Sequence, residues 1–382
     1  MLEIIENPDV FERLRDEWDG LLAASACDGP FLTWEWLHSW WKHLAGRRRL
    51  HLIVAREGGE LAAITPLSLV PVSPSRLMPV RSLEFLGTGS AGSDYLDLIV
   101  RRGCEEEVLE ALTEGLLREK LLLRFEQVGR GPGPVRELSC RLASRGWGFL
   151  ERPGGVCPYV GLSGRPWSEY LAGRGREHRY AFRRKFRGLT RKFDVSFELA
   201  RSDEARREAL ASLISLHTMR WKDRGGSDAF HTAALRAFHE EATRLAFDRG
   251  WLRLYVLRLD GRAAAAVYGF LYGGVFYFYQ SGFHPALGAS SVGLVALGLS
   301  IQAAIEEGAK EYDFLHGDEA YKFHWASDVR ELCRLELYPP RGRGLLLRNV
   351  VGASRLVRGA ARRVLAPVAA ASIALSSGAG AR

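Results

Sequence analysis

Two stretches late in this 382-residue chain hold residues that could do chemistry. In EYDFLHGDEAYKFHWAS a strand ends at His316-Gly317, and a polar turn leads to a short helix, near Ala320–Ala326, carrying Tyr321, Lys322 and His324. Polar groups at the C-terminal edge of a sheet, beside a helix N-terminus, are where α/β folds place ligands. Asp318 as a cap and Tyr321 as a packed ring would explain part of this. The set Asp313, Asp318, Glu319, Tyr321 and Lys322 is richer than a cap needs. In FYFYQSGFHPALGASSVGLVALGLSIQAAIEEG a strand passes through Tyr279, Ser281 and Gly282. A loop with Gly288, Ser290, Ser291 and Gly293 follows, then a helix from about Ser291 to Gly308. Free amides at a helix N-terminus, with small residues that let a ligand approach, suit a phosphate. A glycine-bearing turn with no ligand looks the same in sequence.

A third stretch, REHRYAFRRKFRGLTRKF, reads as a helix over Glu177–Phe193. Phe182, Phe186, Leu189 and Phe193 form one apolar stripe among seven basic residues. It fits a solvated face on a docked helix, or electrostatic recognition of an acidic acceptor such as a sugar nucleotide, a polyprenyl-phosphate glycan or tRNA. No aromatic RNA-binding motif accompanies it.

The elements that would position these residues fall into two modules, 1–162 and 163–340, with a tail over 341–382. In the first, a strand LEIIE leads to helices over Pro8–Ala24 and TWEWLHSWWKHL, with Thr33 as N-cap. A hairpin follows around Glu57-Gly58-Gly59, then strands RSLEFLG and YLDLIV, a helix over Cys104–Lys120, the strand LLLRFEQV, a helix, and a strand pair in FLERPGGVCPYVGL. In the second, the basic helix and strand VSFELA precede helices over Asp203–Arg220 and Asp228–Arg249, capped by Ser202 and Ser227. A meander then turns at Asp260-Gly261 and Gly273-Gly274. LHLIVAREGGELAAITPLSL at 50–69 aligns without gaps on LRLYVLRLDGRAAAAVYGFL at 252–271, and two helices precede each hairpin. Any amphipathic hairpin shares some of this pattern, but the repeated order favours duplication. The fold class expected is α/β (α+β): tandem modules with mixed, largely antiparallel sheets flanked by helices. Only the second has the aromatic strand and Gly/Ser loop, so it is read as the chemical one.

Strand meander, phosphate-type loop, long helix, strand and short helix is the order of the GNAT acyltransferase fold. LHTMRW at 216–221, Ser291-Val292-Gly293-Leu294 and YDFLHGDEAYK at 312–322 resemble the CelD/BcsL-like group, related to FemAB-type transferases and to the acyltransferase half of BioF-like fusions. The group commonly has proline where this chain has Val292. The resemblance covers about 165–340 and implies acyl transfer from acetyl-CoA or another acyl-CoA to an amine. It places the pyrophosphate at the 291–308 helix, with Gly288, Ser290, Ser291, Gly293 and Leu294 around it. The pantetheine arm would lie along Tyr279, Ser281 and Gly282. Tyr321 becomes the acid that protonates the leaving thiolate, because a phenol can donate to a good leaving group. His217 and Asp318 become candidate bases, and Arg220, Trp221, Asp313 and Lys322 acceptor contacts. A buried structural role fits His217 equally.

The acceptor expected is a small molecule or glycan precursor of the cell envelope or an exopolysaccharide. The alternatives are Fem-like transfer from aminoacyl-tRNA and a non-catalytic scaffold of a polysaccharide-synthesis complex. Nucleic acid is otherwise not expected: of 53 basic residues eight lie in 341–382, which has no acid, and the other 45 balance 45 acidic ones. The five scattered cysteines read as reduced buried thiols with no metal site. With no signal peptide and no membrane-spanning run, the chain is expected in the cytoplasm. Its arginine-bearing tail would either lie on an anionic membrane or extend without structure. Trp34, Trp36, Trp40 and Trp41 cannot share one helical face, and most are expected to pack between the modules.

Overall fold

The computed structural model describes residues 2–71, 81–162, 164–222 and 229–340. Ser227 as a helix cap and the tail over 341–382 lie outside the described residues. In chain order the elements are β1 (Leu2–Ile5), α1 (Pro8–Arg13), α2 (Arg15–Ala24), α3 (Trp34–Leu44), β2 (Arg49–Glu57), β3 (Glu60–Pro71), β4 (Arg81–Phe85), β5 (Ile99–Val100), α4 (Glu105–Glu119), β6 (Leu122–Gly129), α5 (Pro134–Ser144) and β7 (Gly148–Gly161). After these come α6 (Trp167–Ala172), α7 (Arg176–Thr190), β8 (Val195–Leu199), α8 (Asp203–Trp221), α9 (Ala233–Asp248), β9 (Leu252–Leu259), β10 (Arg262–Tyr272) and β11 (Val275–Phe283). The last are α10 (Val292–Glu306), β12 (Glu311–Asp313), α11 (Ala320–Phe323) and β13 (Asp328–Tyr338).

The strands form one sheet in the order β1-β2-β3-β4-β6-β13-β7-β12-β11-β10-β9-β8, with β5 pairing β3. Apart from β5, the order reads alike from either edge. Each half is antiparallel except for one pair, β4 with β6 and β11 with β12. The halves exchange strands at the middle: β13 lies between β6 and β7, and β7 joins β12. A cut at 162 therefore does not divide the sheet.

The duplication read from the hairpins extends to their irregularities. Each carries a β-bulge at the same place, Ala62 in one and Ala264 in the other. Bulges re-aim strands and are built features, so two in matched positions carry weight. Arg56 donates to Gly59 O (3.0 Å) and Glu17 of α2 (2.6 Å); Arg258 donates to Gly261 O (3.3 Å) and Glu208 of α8 (2.6 Å). The turns at Gly58-Gly59 and Asp260-Gly261 hold both residues at positive φ, as a two-residue hairpin turn requires.

Several local readings need correction. FLERPGGVCPYVGL is one strand, β7, and not a pair. Gly154 is its bulged residue, where a Cβ would stand 2.9 Å from Cys333 N, so the glycines there admit β13 instead of turning the chain. YLDLIV yields only the two residues of β5, and the first helix divides at Leu14. α9 starts at Ala233, capped by Thr232, whose Oγ1 accepts from Leu235 N at 3.1 Å. Of the cysteines only Cys157 and Cys333 are buried; Cys140 is exposed, and all five are unpaired. Thr33 and Ser202 cap α3 and α8 as expected.

One core packs α1–α5, α8 and α9 onto the sheet, and a second lies beneath α6, α7 and α10. Trp34, Trp36 and Trp40 are buried in the first core. Trp36 stands edge-on to Phe238 and Phe270, which joins the two halves. Beside them His239 is fully enclosed by Phe230, Phe238, Tyr268 and Tyr279. Burial holds its pKa down at about 3, against a weaker upward pull from the backbone of Ala229. Below an unfolded value near 6.5 the unfolded chain takes up a proton the native state refuses, so stability falls as pH drops towards 3. At pH 5 the cost is about 2 kcal/mol. His239→Phe should therefore lose about 2 kcal/mol less than the parent between pH 7 and pH 5 in urea melts; equal losses would refute this.

Candidate functional site

The site forms where β11 leaves β12. Their parallel pairing covers Val275–Tyr277 with Glu311–Asp313 and then stops, so the rest of β11 has no partner on its β12 side. The chain turns through a 3₁₀ segment, Pro285–Ser290, into Ser291 at φ 56°, and α10 starts at Val292. Val295 N is the first amide bonded back along this helix, to Ser291 O at 3.1 Å. The three amides before it have no acceptor inside the helix. No acidic residue lies in that first turn, so the positive end of the helix dipole is uncompensated.

Between this helix end, β10 and β11 lies a cavity of about 270 Å³. Ser291, Gly293 and Leu294 rim it together with Ser281, Gly282, Gly288 and Phe283, while Tyr321 and Trp325 close the far side. Arg220, at the end of α8, also lines it; its guanidinium lies 4.8 Å from the Phe283 ring centre and 5.5 Å from that of Trp221. Ala265 puts a small side chain on the α10 side of β10, near Ala296 and Leu297, and leaves room for the hollow; the side chain of Ala266 packs in the opposite core. The alanine run of β10 is the sequence signal for this space, and motif spacing does not reveal it.

Tyr321 is held protonated: burial first, and Glu319 second, raise its pKa, against a smaller opposite effect of Arg220. His217 is buried behind the rim, its Nδ1 3.0 Å from Ser281 O. Burial lowers its pKa, as does Arg220, while the Ser281 carbonyl raises it.

The cavity thus brings together Tyr321, Arg220, Ser281, Gly282, Gly288, Ser291, Gly293 and Leu294. Other expected site residues lie elsewhere. Tyr279 does not line it, because its hydroxyl donates to Ala91 O in the first half. Ser290 and Trp221 adjoin the rim without lining it. Lys322 is buried, with its ammonium on the carbonyls of His316 (2.7 Å) and Leu315 (3.3 Å) and paired with Glu319, so it ties the end of β12 and does not reach a substrate. Asp318 is exposed outside the cavity. Asp313 accepts from Leu315 N, Tyr95 and Arg330, and lines a separate cleft of about 570 Å³ between the halves. Burial pushes its carboxyl up to about 6. Tyr279 and Asp313 miss the cavity because neighbours along a strand point to opposite faces: Phe278 and Tyr312 beside them pack in the core beneath α10.

In the first half the corresponding positions are filled. α4 begins Glu105-Glu106-Glu107, with Glu105 accepting from Gly103 N at 2.7 Å, so carboxylates already hold that helix end. β5 also pairs with Ala63 and Ile64 of β3, where a continued β4 would run. Among the described residues no group of histidines, cysteines and carboxylates could hold a metal ion.

Residues 176–323, from the first residue of α7 to the last of α11, match the family model described as Acetyltransferase (GNAT) domain. Among solved structures the chain resembles FemX at 13% identity, over 84% of this chain and 95% of that one, with a TM-score of 0.58. L-PGS from Bacillus licheniformis is 13% identical over 93% and 99% of the two chains, TM-score 0.53. The C-terminal domain (DUF2156) of a putative lysylphosphatidylglycerol synthetase from Agrobacterium fabrum is 11% identical over 89% and 96%, TM-score 0.53. At these identities the likeness is one of fold. No curated protein matches the chain.

Proposed function

We propose that the chain transfers an acyl group from an acyl-CoA thioester, acetyl-CoA or a relative, to an amine on a cell-envelope or exopolysaccharide precursor. One observation carries the reading: a single cavity joins an uncompensated helix N-terminus, an arginine and a protonated phenol. The amides of Val292, Gly293 and Leu294 would take the pyrophosphate, with Arg220 adding charge. The amine nitrogen bonds to the thioester carbonyl carbon, the C–S bond breaks, and Tyr321 gives its proton to the departing sulfur. His217, neutral at pH 7 because burial lowers its pKa, is the proposed acceptor of the ammonium proton. Leu294→Glu imitates the acidic helix start of α4. It should weaken acetyl-CoA binding about tenfold in calorimetry while leaving the melting temperature unchanged or slightly raised. A chain that binds no acetyl-CoA would overturn the reading.

A second reading, Fem-like transfer from aminoacyl-tRNA, draws on the arginines of α7; a requirement for charged tRNA in turnover would establish it. No helix among the described residues is long and apolar enough to cross a membrane. We further propose a cytoplasmic protein whose 341–382 segment rests on an anionic membrane face. Deletion of that segment should then reduce association with anionic liposomes, and unchanged association would remove the contact.

A further inference from the structure

The arginines on the face of α7 turned away from the core make no described ion pair, although Glu177 shares that face. Arg176, Arg179, Arg183, Arg184, Arg187 and Arg191 stand along it. Among the described residues no carboxylate lies within ion-pair distance of any of the six, although Arg141, Arg145, Arg207 and Arg258 elsewhere on the surface are all paired. Like charges one helical turn apart, as at 179, 183, 187 and 191, oppose the helix they sit on. The opposite stripe, with Phe182 and Leu189 buried, holds α7 in place regardless.

α7 meets the segment before α10 through its other flank. Lys185 donates to Ala289 O at 2.7 Å in the segment that leads into α10, and Phe182 packs where Gly298 leaves room on that helix. A phosphate seated at the start of α10 would therefore have α7 as a neighbour, with the arginines on its outer side. From Arg176 to Arg191 the row runs about 22 Å. The nucleotide end of CoA has too few charges to engage six arginines over that length.

We propose that α7 docks an acidic helix of a carrier protein, which presents its acyl group as a thioester on a phosphopantetheine arm. The proposal rests on the acyl-transfer reading and identifies the donor. Carboxylates at four-residue spacing on a facing helix would meet arginines at the same spacing. The chemistry of the face suits protein better than RNA. Apart from arginine it offers Glu177, Tyr180 and Gly188, with no amide or hydroxyl side chain but the phenol to read a 2′-hydroxyl. Its exposed ring, Tyr180, already carries the Arg184 guanidinium 5.7 Å from its centre. The arm's phosphate takes the place of the CoA pyrophosphate on α10. In the transfer the C–N bond forms, the C–S bond to the arm breaks, and the arm's thiolate takes the Tyr321 proton.

The test titrates the full-length chain into a fluorescently labelled acyl carrier protein bearing acetyl on its phosphopantetheine, followed by anisotropy. Saturable binding that weakens with salt is expected. It should fall at least tenfold in Arg183→Glu/Arg187→Glu and less in Arg183→Gln/Arg187→Gln, with acetyl-CoA affinity unchanged in both. Absent binding, or equal affinity in the charge-reversed chain, overturns the proposal. So does bulk tRNA or an anionic phosphatidylglycerol vesicle bound through these arginines while the carrier is not. If acetyl-CoA binds and the carrier does not, only this inference fails; if neither binds, the acyl-transfer reading fails with it.

Discussion

Replacing Tyr321 by phenylalanine should lower kcat for acyl transfer by about 10² or more, the lower end of what a positioned general acid contributes. The ring beside Trp325 is kept and only the proton is lost, so acetyl-CoA affinity in calorimetry should not change. Burial and Glu319 hold the phenol protonated at every working pH, so the parent enzyme should show no loss of this acid up to at least pH 9. The measurement is thiol release from acetyl-CoA with a panel of amines. A loss confined to kcat is what a proton delivered to the leaving sulfur predicts, whereas a rise in KM alone would assign Tyr321 to binding. Full turnover in the variant would remove it as the acid.

Gly282→Ala should cost about 3 kcal/mol of stability, the upper end for overpacking. A Cβ there would stand 2.6 Å from His217 N and 3.0 Å from Leu216 C, both main-chain atoms of α8 that no rotamer change can move aside. The strand and helix would have to part, which also breaks the contact of His217 with Ser281 O and widens the cavity beside Arg220. Urea melts should show the loss, and acetyl-CoA affinity should fall with it. A variant as stable as the parent would mean that α8 does not sit against β11 as described.

Close approach of this kind explains much of what the sequence could not disclose. Gly154-Gly155 looks like a hairpin turn, but these glycines make room for β13 and for the His316 ring, partners far away in the chain. Lys322 and Asp313 have the residue types of a substrate site. The resemblance implies them as acceptor contacts, yet their own charges are bound to carbonyls, a phenol and an arginine. The arginines of α7 are visible in the sequence as a basic stripe, but not their lack of ion pairs.

Local chemistry was legible because it depends on neighbours in sequence. Thr33 and Ser202 cap helices through amides three residues on, and paired positive-φ residues set the hairpin turns. The apolar stripe of α7 follows from helical spacing, and the 202-residue echo between the hairpins carried as far as a shared bulge. Tyr321, Ser291 and Gly293 were found in this way, each being tied to a strand end or a helix start. Only the tertiary structure decided that β13 crosses into the first half, that α4 holds its own carboxylates where α10 has none, and that parts of α8, β10, β11, α10 and α11 converge on one cavity. Those outcomes depend on which surfaces are buried against each other. Burial is a property of pairs distant in the chain, and no local spacing records it.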